Sequence, residues 1–248
     1  DKSGLIEFAR ALSGHGIDAS GEVIWNPTTP VLYEHAVARR EARLAEGGPM
    51  VVDTGTHTGR SPNDKFIVRE PASEARIWWD GNRELPEELF DPLRETVTDF
   101  LAKQPTLYVV DAFAGADPAH RIAVRVITTH PYHALFARTM FIDPTPTEAA
   151  AFQPQALVLH APALEAKPEE DGTRTGTFIV LHPTRTEVLI GGTFYAGEIK
   201  KSIFTVMNDR LPLENVFPMH CSANDGADGR TAIFFGLSRP GQTPLPAD

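Results

Sequence analysis

Hydrophobic positions along the chain fall into alternating helix-spaced and strand-spaced blocks, the pattern of an α/β protein. Leu5, Phe8, Ala9 and Leu12 share one face of a helix that Ser3 can cap and that Gly14 and Gly16 can end. Thr29-Pro30 opens a second helix with proline at its first position, and Gly47-Gly48 closes it after a charged run, Arg39 to Arg43, that reads as a solvated face. Met50-Val51-Val52 then predicts a buried strand, Lys65 to Val68 another, and Arg76-Ile77-Trp78-Trp79 a third. Leu89, Leu93, Val97, Phe100 and Leu101 mark a helix face begun near Pro86 or Pro92. Residues 106–113 and 121–128 predict neighbouring strands, the second alternating Ile122, Val124 and Val126 with Arg121, Ala123 and Arg125. Further strands are predicted over 156–160, 177–182 and 187–190, with a polar loop over 167–174. Residues 1–215 thus predict one mixed-sheet α/β domain, and residues 216–248 the opening of a second.

Composition narrows the function. The formal net charge of −10 argues against a general binder of nucleic acid or anionic membranes, so any anionic ligand must be met by locally placed cations. A single cysteine, Cys221, excludes an internal disulfide framework and fits a reducing compartment; we expect it as small buried packing with no partner base. No apolar run approaches the length of a membrane span, and Asp1-Lys2-Ser3 lacks a signal-peptide pattern. The expectation is a soluble, cytoplasmic protein.

Candidate chemistry concentrates in residues 191–202, GGTFYAGEIKKS, where a strand meets two glycines, then an aromatic hydroxyl at Tyr195, then Lys200 and Lys201 on a helix. Adjacent helical lysines point about 100° apart, so one can face a cleft while the other turns toward a neighbouring ligand. A second candidate is the polar loop Gly55 to Ser61. Its Arg60 can present a planar fork to a carboxylate, or pair with nearby Asp64. His130 and His133, three apart, could share a helix face as metal ligands, but Pro131 suits a helix start and a structural use is preferred. The lysines could equally be solvated helix residues, Tyr195 a rim aromatic, and His220 a hydrogen-bonded core histidine.

Three long words resemble the ATP-dependent phosphoenolpyruvate carboxykinase family: TFYAGEIKKSIF from Thr193, PMHCSAN from Pro218 and GTHTGRSPNDKFIV from Gly55. Smaller matches, the Trp78-Trp79 pair and YVVDAFAGAD from Tyr108, lie between them in order. The resemblance implies a mixed-sheet, substrate-binding N-terminal domain, followed by the first strand and loop of a P-loop nucleotide domain. It implies the reaction of oxaloacetate and ATP to phosphoenolpyruvate, CO2 and ADP, a step of gluconeogenesis. By the same resemblance Arg60 holds the substrate carboxylate, Tyr195 donates to that carboxylate or to CO2, and Lys200 bridges substrate and phosphate oxygens. Lys201 and His220 become ligands of Mn2+, with Mg2+ accompanying the nucleotide. Gly236, Leu237, Ser238, Gly241 and Thr243, with His220, fall on the nucleotide side, and Thr243 carries the hydroxyl expected at the metal.

The chain departs from the family at that loop. Arg239, Pro240, Gln242, Pro244 and Pro246 stand where the family has glycine, threonine, lysine, threonine and serine. Gln242 lacks charge, the prolines lack amide hydrogens, and Arg239 adds bulk where backbone should approach phosphate. Nucleotide binding through this loop should be badly weakened. The remaining family metal ligand and the adenine contacts are expected beyond Asp248, so a fragment inactive alone is expected. A non-catalytic dicarboxylate-binding module and an unrelated P-loop nucleotide hydrolase are the rivals. Isothermal titration separates them, since tight ATP binding without dicarboxylate binding would select the hydrolase. Each of the five replacements is one first-position codon change to cytosine from the family residue, so a corrupted sequence end stands beside an evolved loss. Resequencing the source DNA decides: the same codons found again would remove the corruption.

Overall fold

The apolar blocks in the middle of the chain are rich in valine, isoleucine and leucine and are buried on both faces, as strands covered by helices must be. The computed structural model describes residues 10–236. Ser3, Leu5, Phe8 and Ala9, and Leu237, Ser238, Gly241 and Thr243 of the loop, lie outside the described residues.

The strands are β1 (Glu22–Trp25), β2 (Ala42–Leu44), β3 (Met50–Val52), β4 (Lys65–Arg69), β5 (Arg83–Pro86), β6 (Thr106–Ala114), β7 (Ile122–Thr128), β8 (Ala156–Ala161), β9 (Phe178–His182), β10 (Glu187–Gly191), β11 (Ser222–Asp225) and β12 (Thr231–Phe234). The helices are α1 (Thr29–Ala38), α2 (Glu87–Ala102), α3 (Pro131–Met140), α4 (Pro146–Ala150), α5 (Pro168–Asp171) and α6 (Gly197–Arg210). Eight strands form one sheet in the order β1-β6-β7-β8-β10-β9-β4-β5. Its pairings are parallel except β6 with β7 and β9 with β10, so the sheet is mixed, as the sequence predicts.

Side chains alternate across this sheet. Leu107, Val109, Ile127, Leu157, Leu159 and Leu189 pack with Phe90, Leu93, Val97 and Leu101 of α2 in one apolar cluster. Tyr108 faces the other way, its hydroxyl 3.0 Å from His35 Nδ1 on α1, and α1 packs against α3. Both faces are therefore covered. The polar positions of β7 do not reach water either. Arg125 is 6 % exposed and forks onto Asp111 of β6, Nε to Oδ1 at 2.7 Å and Nη2 to Oδ2 at 2.9 Å. Trp25 of β1 donates from Nε1 to Asp111 Oδ2 at 3.0 Å and stacks under the Arg125 guanidinium.

Several sequence expectations need correction. The second helix ends at Ala38, because Arg40 takes a left-handed conformation (φ 59°) and turns the chain into β2. Gly47 and Gly48, both at positive φ, make the turn of a β2–β3 hairpin and end no helix. Val51, expected in a buried strand, is 45 % exposed because this hairpin lies outside the main sheet. Arg76 to Trp79 is not a strand but two short 3₁₀ turns. There Trp79 donates from Nε1 to Glu74 O at 3.0 Å, so the tryptophan is satisfied locally and needs no sheet partner. The polar loop at 167–174 contains one helical turn, α5. Pro86 immediately precedes α2, and Pro92 is accommodated inside it.

The chain divides into two compact units, one up to Val206 and one from Met207. In the second, a 3₁₀ turn over Leu211–Glu214 precedes the antiparallel ribbon of β11 and β12. Cys221 is exposed there, which corrects the expectation of buried packing: the short ribbon offers no core to bury it in. Among the described residues no helix is long and apolar enough to cross a membrane.

The buried Asp111–Arg125 pair supplies a stability test. Removing one partner leaves the other charge buried and uncompensated, which costs about 3–5 kcal/mol. Asp111→Ala should therefore lower the unfolding free energy by that order in urea titration, whereas Asp99→Ala, on the exposed face of α2, should change it by less than about 0.5 kcal/mol.

Candidate functional site

The loop of residues 55–61 approaches β4 from its amino end, and the segment 192–196 leaves β10 at its carboxyl end. Because β10 runs antiparallel to β9 and β9 parallel to β4, these two segments arrive at the same edge of the sheet. Topology alone therefore brings Arg60 near the start of α6.

Hydrogen bonds then latch the two segments together. Ser61 N–H donates to the buried Glu198 carboxylate of α6 at 2.7 Å. Thr177, just before β9, donates its hydroxyl to Gly192 O at 2.8 Å and lies 3.0 Å from His57 Nε2. With that hydroxyl proton committed, the imidazole donates from Nε2 and accepts at Nδ1 from Ser61 Oγ, 3.0 Å away. Lys65, the first residue of β4, reaches across to Thr205 Oγ1 on α6 at 2.5 Å. Thr205 in turn donates to Lys201 O at 2.9 Å.

The result is a cluster of cations on one edge of a chain whose net charge is −10. Burial pushes the Lys65 amine below its ordinary value; Glu198 opposes this, while Arg60 and Lys201 add to it. Burial likewise pushes Lys201 down, with the charges of Arg60 and Lys200 next in effect. Lys201 thus feels the charges of both Arg60 and Lys200, and Lys65 those of Arg60 and Lys201, with Glu198 the carboxylate acting on Lys65. An edge of this kind can receive a small anion, since each added negative charge relieves repulsion already present.

Tyr195 is positioned separately. Gly197 makes room for its ring: a Cβ there would lie 2.5 Å from the ring carbon Cε1. His133, fully buried on α3, anchors the preceding residue by donating from Nε2 to Phe194 O at 2.8 Å. Burial first, and the nearby His130 ring, hold His133 down to about 3, so it is a neutral donor here. That imidazole is used structurally. Tyr132 of the same helix has its phenol pushed up by burial first and by Tyr195 next.

The candidate residues accordingly sort by place. Arg60, Lys200 and Lys201 share one edge, with Tyr195 on the segment leading into the same helix. Asp64 does not capture Arg60; its carboxylate accepts from Arg174 at 3.0 Å and from Thr175 at 2.8 Å. His220 and Gly236 belong to the second unit, where His220 is exposed. Sequence reasoning missed Lys65, Glu198 and His57 as parts of the site. The signals were a lysine opening an otherwise apolar strand, an acid inside a buried helix turn and a histidine in the polar loop, each of which needs its distant partner before it means anything.

The structure is a mixed α/β domain with basic side chains gathered around a polar loop and the start of a helix. The sequence model described as Phosphoenolpyruvate carboxykinase matches residues 21–248, and the chain belongs to that family. It is 52 % identical over 242 residues to Phosphoenolpyruvate carboxykinase (ATP) of Thermus thermophilus, covering 96 % of this chain and 46 % of the relative. It is 47 % identical over 249 residues to the protein of that name from Azorhizobium caulinodans, covering 100 % of this chain and 46 % of the relative. A Geobacter relative, also Phosphoenolpyruvate carboxykinase (ATP), is 49 % identical over 237 residues. The chain therefore spans about half the length of these relatives, 46 % in the first two.

The latch yields a direct test. A hydrogen bond to a buried carboxylate contributes about 1.5–3 kcal/mol. Glu198→Ala should raise amide hydrogen exchange at Ser61 and neighbouring loop residues by at least tenfold, while exchange in β7 stays unchanged.

Proposed function

We propose that the chain is the substrate-binding part of an ATP-dependent phosphoenolpyruvate carboxykinase, and that the edge holding Arg60, Tyr195, Lys200 and Lys201 seats oxaloacetate and phosphoenolpyruvate. The observation that carries the reading is the crowding of Arg60, Lys65, Lys200 and Lys201 at one edge of an acidic chain, with the loop latched through Ser61 to Glu198.

In this reading Arg60 grips a carboxylate of oxaloacetate with its planar fork. Tyr195 donates its phenolic hydrogen to the substrate carboxylate or to the departing CO2. Loss of CO2 leaves the electron pair of the broken carbon–carbon bond in an enolate, whose oxygen takes the terminal phosphoryl group of ATP, giving phosphoenolpyruvate and ADP. Lys200 spans substrate and phosphate oxygens, lowering the energy of that growing negative charge.

A divalent cation belongs to this family's chemistry, and the donor set suits one. An amine coordinates only when neutral, and burial together with the charges of Arg60 and Lys200 already pushes Lys201 toward that form. Lys201 would be a ligand of Mn2+, which would supply positive charge opposite the oxygen that turns anionic. Lys65, tied to Thr205, keeps α6 in register with β4 and so keeps Lys201 beside Arg60. We assign the residues around Gly236, together with Leu237, Ser238, Gly241 and Thr243, to the phosphates of ATP and its Mg2+, a contact that Arg239, Pro240, Gln242 and Pro244 weaken, and read 216–248 as the opening of the nucleotide domain. We place the activity in the cytoplasm.

Two experiments test this reading. Isothermal titration with oxaloacetate should show binding that weakens about 50-fold in Arg60→Ala, as expected when a charge-assisted fork worth roughly 2–3 kcal/mol is removed. Absence of binding by the parent chain, or unchanged binding by the variant, would overturn it. Mn2+ affinity should rise with pH as the Lys201 amine loses its proton. Arg60→Ala removes a like charge, raises the Lys201 pKa, and should displace that rise to higher pH in titrations followed by electron paramagnetic resonance.

A further inference from the structure

At the opposite edge of the sheet a second set of ligating groups converges. The strands β9, β4 and β5 are mutually parallel neighbours, so their carboxyl ends lie together, and in open α/β sheets that is where ligands are received. His182 is the last residue of β9, Glu70 follows β4 directly, and Glu87 begins α2 immediately after β5. One ligating atom from each of Glu70, Glu87 and His182 lies within 4.8 Å of the other two.

The hydrogen bonding around these groups is lopsided. Glu70 is 5 % exposed, and its Oε1 accepts from Ser73 Oγ at 3.1 Å, Thr184 N at 2.9 Å and Thr184 Oγ1 at 2.6 Å. Among the described residues nothing donates to its Oε2. The His182 imidazole is 2 % exposed, yet its Nδ1 meets only the Arg185 amide at 3.5 Å, a long contact, and its Nε2 meets no hydrogen-bond partner among the described residues. Nδ1 and Glu70 Oε1 stand 3.7 Å apart, too far to hydrogen-bond.

The surroundings favour positive charge. Glu70 and Glu87 also line a cavity of about 400 Å³ with Glu74, Glu84, Glu88 and Arg69. Arg69 is engaged by Glu74 and Glu84, and Arg185, near the imidazole, is engaged by Asp91, so neither guanidinium is left to neutralise Glu70 and Glu87. The donors from Thr184 and Ser73 fix the carboxylate as outer-sphere partners fix a metal ligand.

We propose that Glu70, Glu87 and His182 form a binding site for a divalent transition cation, distinct from the substrate edge, that pins the start of α2 to the ends of β4 and β9. An imidazole with two carboxylates suits Zn2+ or Mn2+ over Mg2+ or Ca2+, and the cavity leaves room for water to complete the coordination. The site does not rest on the reading of the substrate edge.

The probe is Zn2+ alone, added to the full chain carrying Lys201→Ala, His220→Ala and Cys221→Ser so that other ligating groups are removed. One equivalent should bind in isothermal titration and raise the melting temperature. His182→Gln and Glu87→Gln should each weaken that binding at least tenfold and abolish the melting shift. Glu87 is exposed, so its replacement does not threaten folding and decides the question alone if the His182 variant fails to fold. Zn2+ affinity unchanged in Glu87→Gln, or no binding by the starting chain, would overturn the proposal.

Discussion

Like charges held together at one place need a fixed negative partner among them, and Glu198 is that partner here. Its carboxylate is buried in the first turn of α6, takes the Ser61 amide of the loop that carries Arg60, and draws Lys65 toward the same place. Without it, Arg60, Lys65, Lys200 and Lys201 would repel one another with no fixed negative partner among them. Specific placement thus gathers cations at one edge of a chain whose formal net charge is −10.

The sheet supplies the rigid frame that this requires. Reversal of direction between β9 and β10 is what delivers the chain leaving β10 and the chain entering β4 to one edge, while the carboxyl ends of β4, β5 and β9 gather at the other. A single mixed sheet therefore presents two chemically opposite edges: basic side chains on one, glutamates with a histidine on the other. Within the frame, the Asp111–Arg125 fork and the Trp25 indole tie three strands by charge and hydrogen bonds where apolar packing alone would allow slippage.

Much of this frame was legible in the chain. Strands with runs of apolar residues, such as those around Val109, Leu159 and Val188, announced themselves, as did the helix face of Leu93, Val97 and Leu101, because burial on a regular element imposes a regular spacing. Local signals failed where two structures share one composition. Gly47-Gly48 serves a helix end and a hairpin turn equally well, and Trp78-Trp79 is as apolar as any strand although Trp78 is 72 % exposed. In β7 arginine alternates with valine, yet Arg125 is buried because Asp111 waits on the next strand.

The sequence by itself determined the class of fold, the family to which the chain belongs, and the loop and helix carrying Arg60, Tyr195, Lys200 and Lys201, because these are written in contiguous words whose periodicity and residue types are local properties. Only the tertiary structure decided which distant groups share a place. Ser61 with Glu198, Lys65 with Thr205, His57 with Thr177, and Glu70 with Glu87 and His182 are juxtapositions between segments far apart in the chain. Strand order and direction set those meetings, and no spacing along a single stretch encodes them.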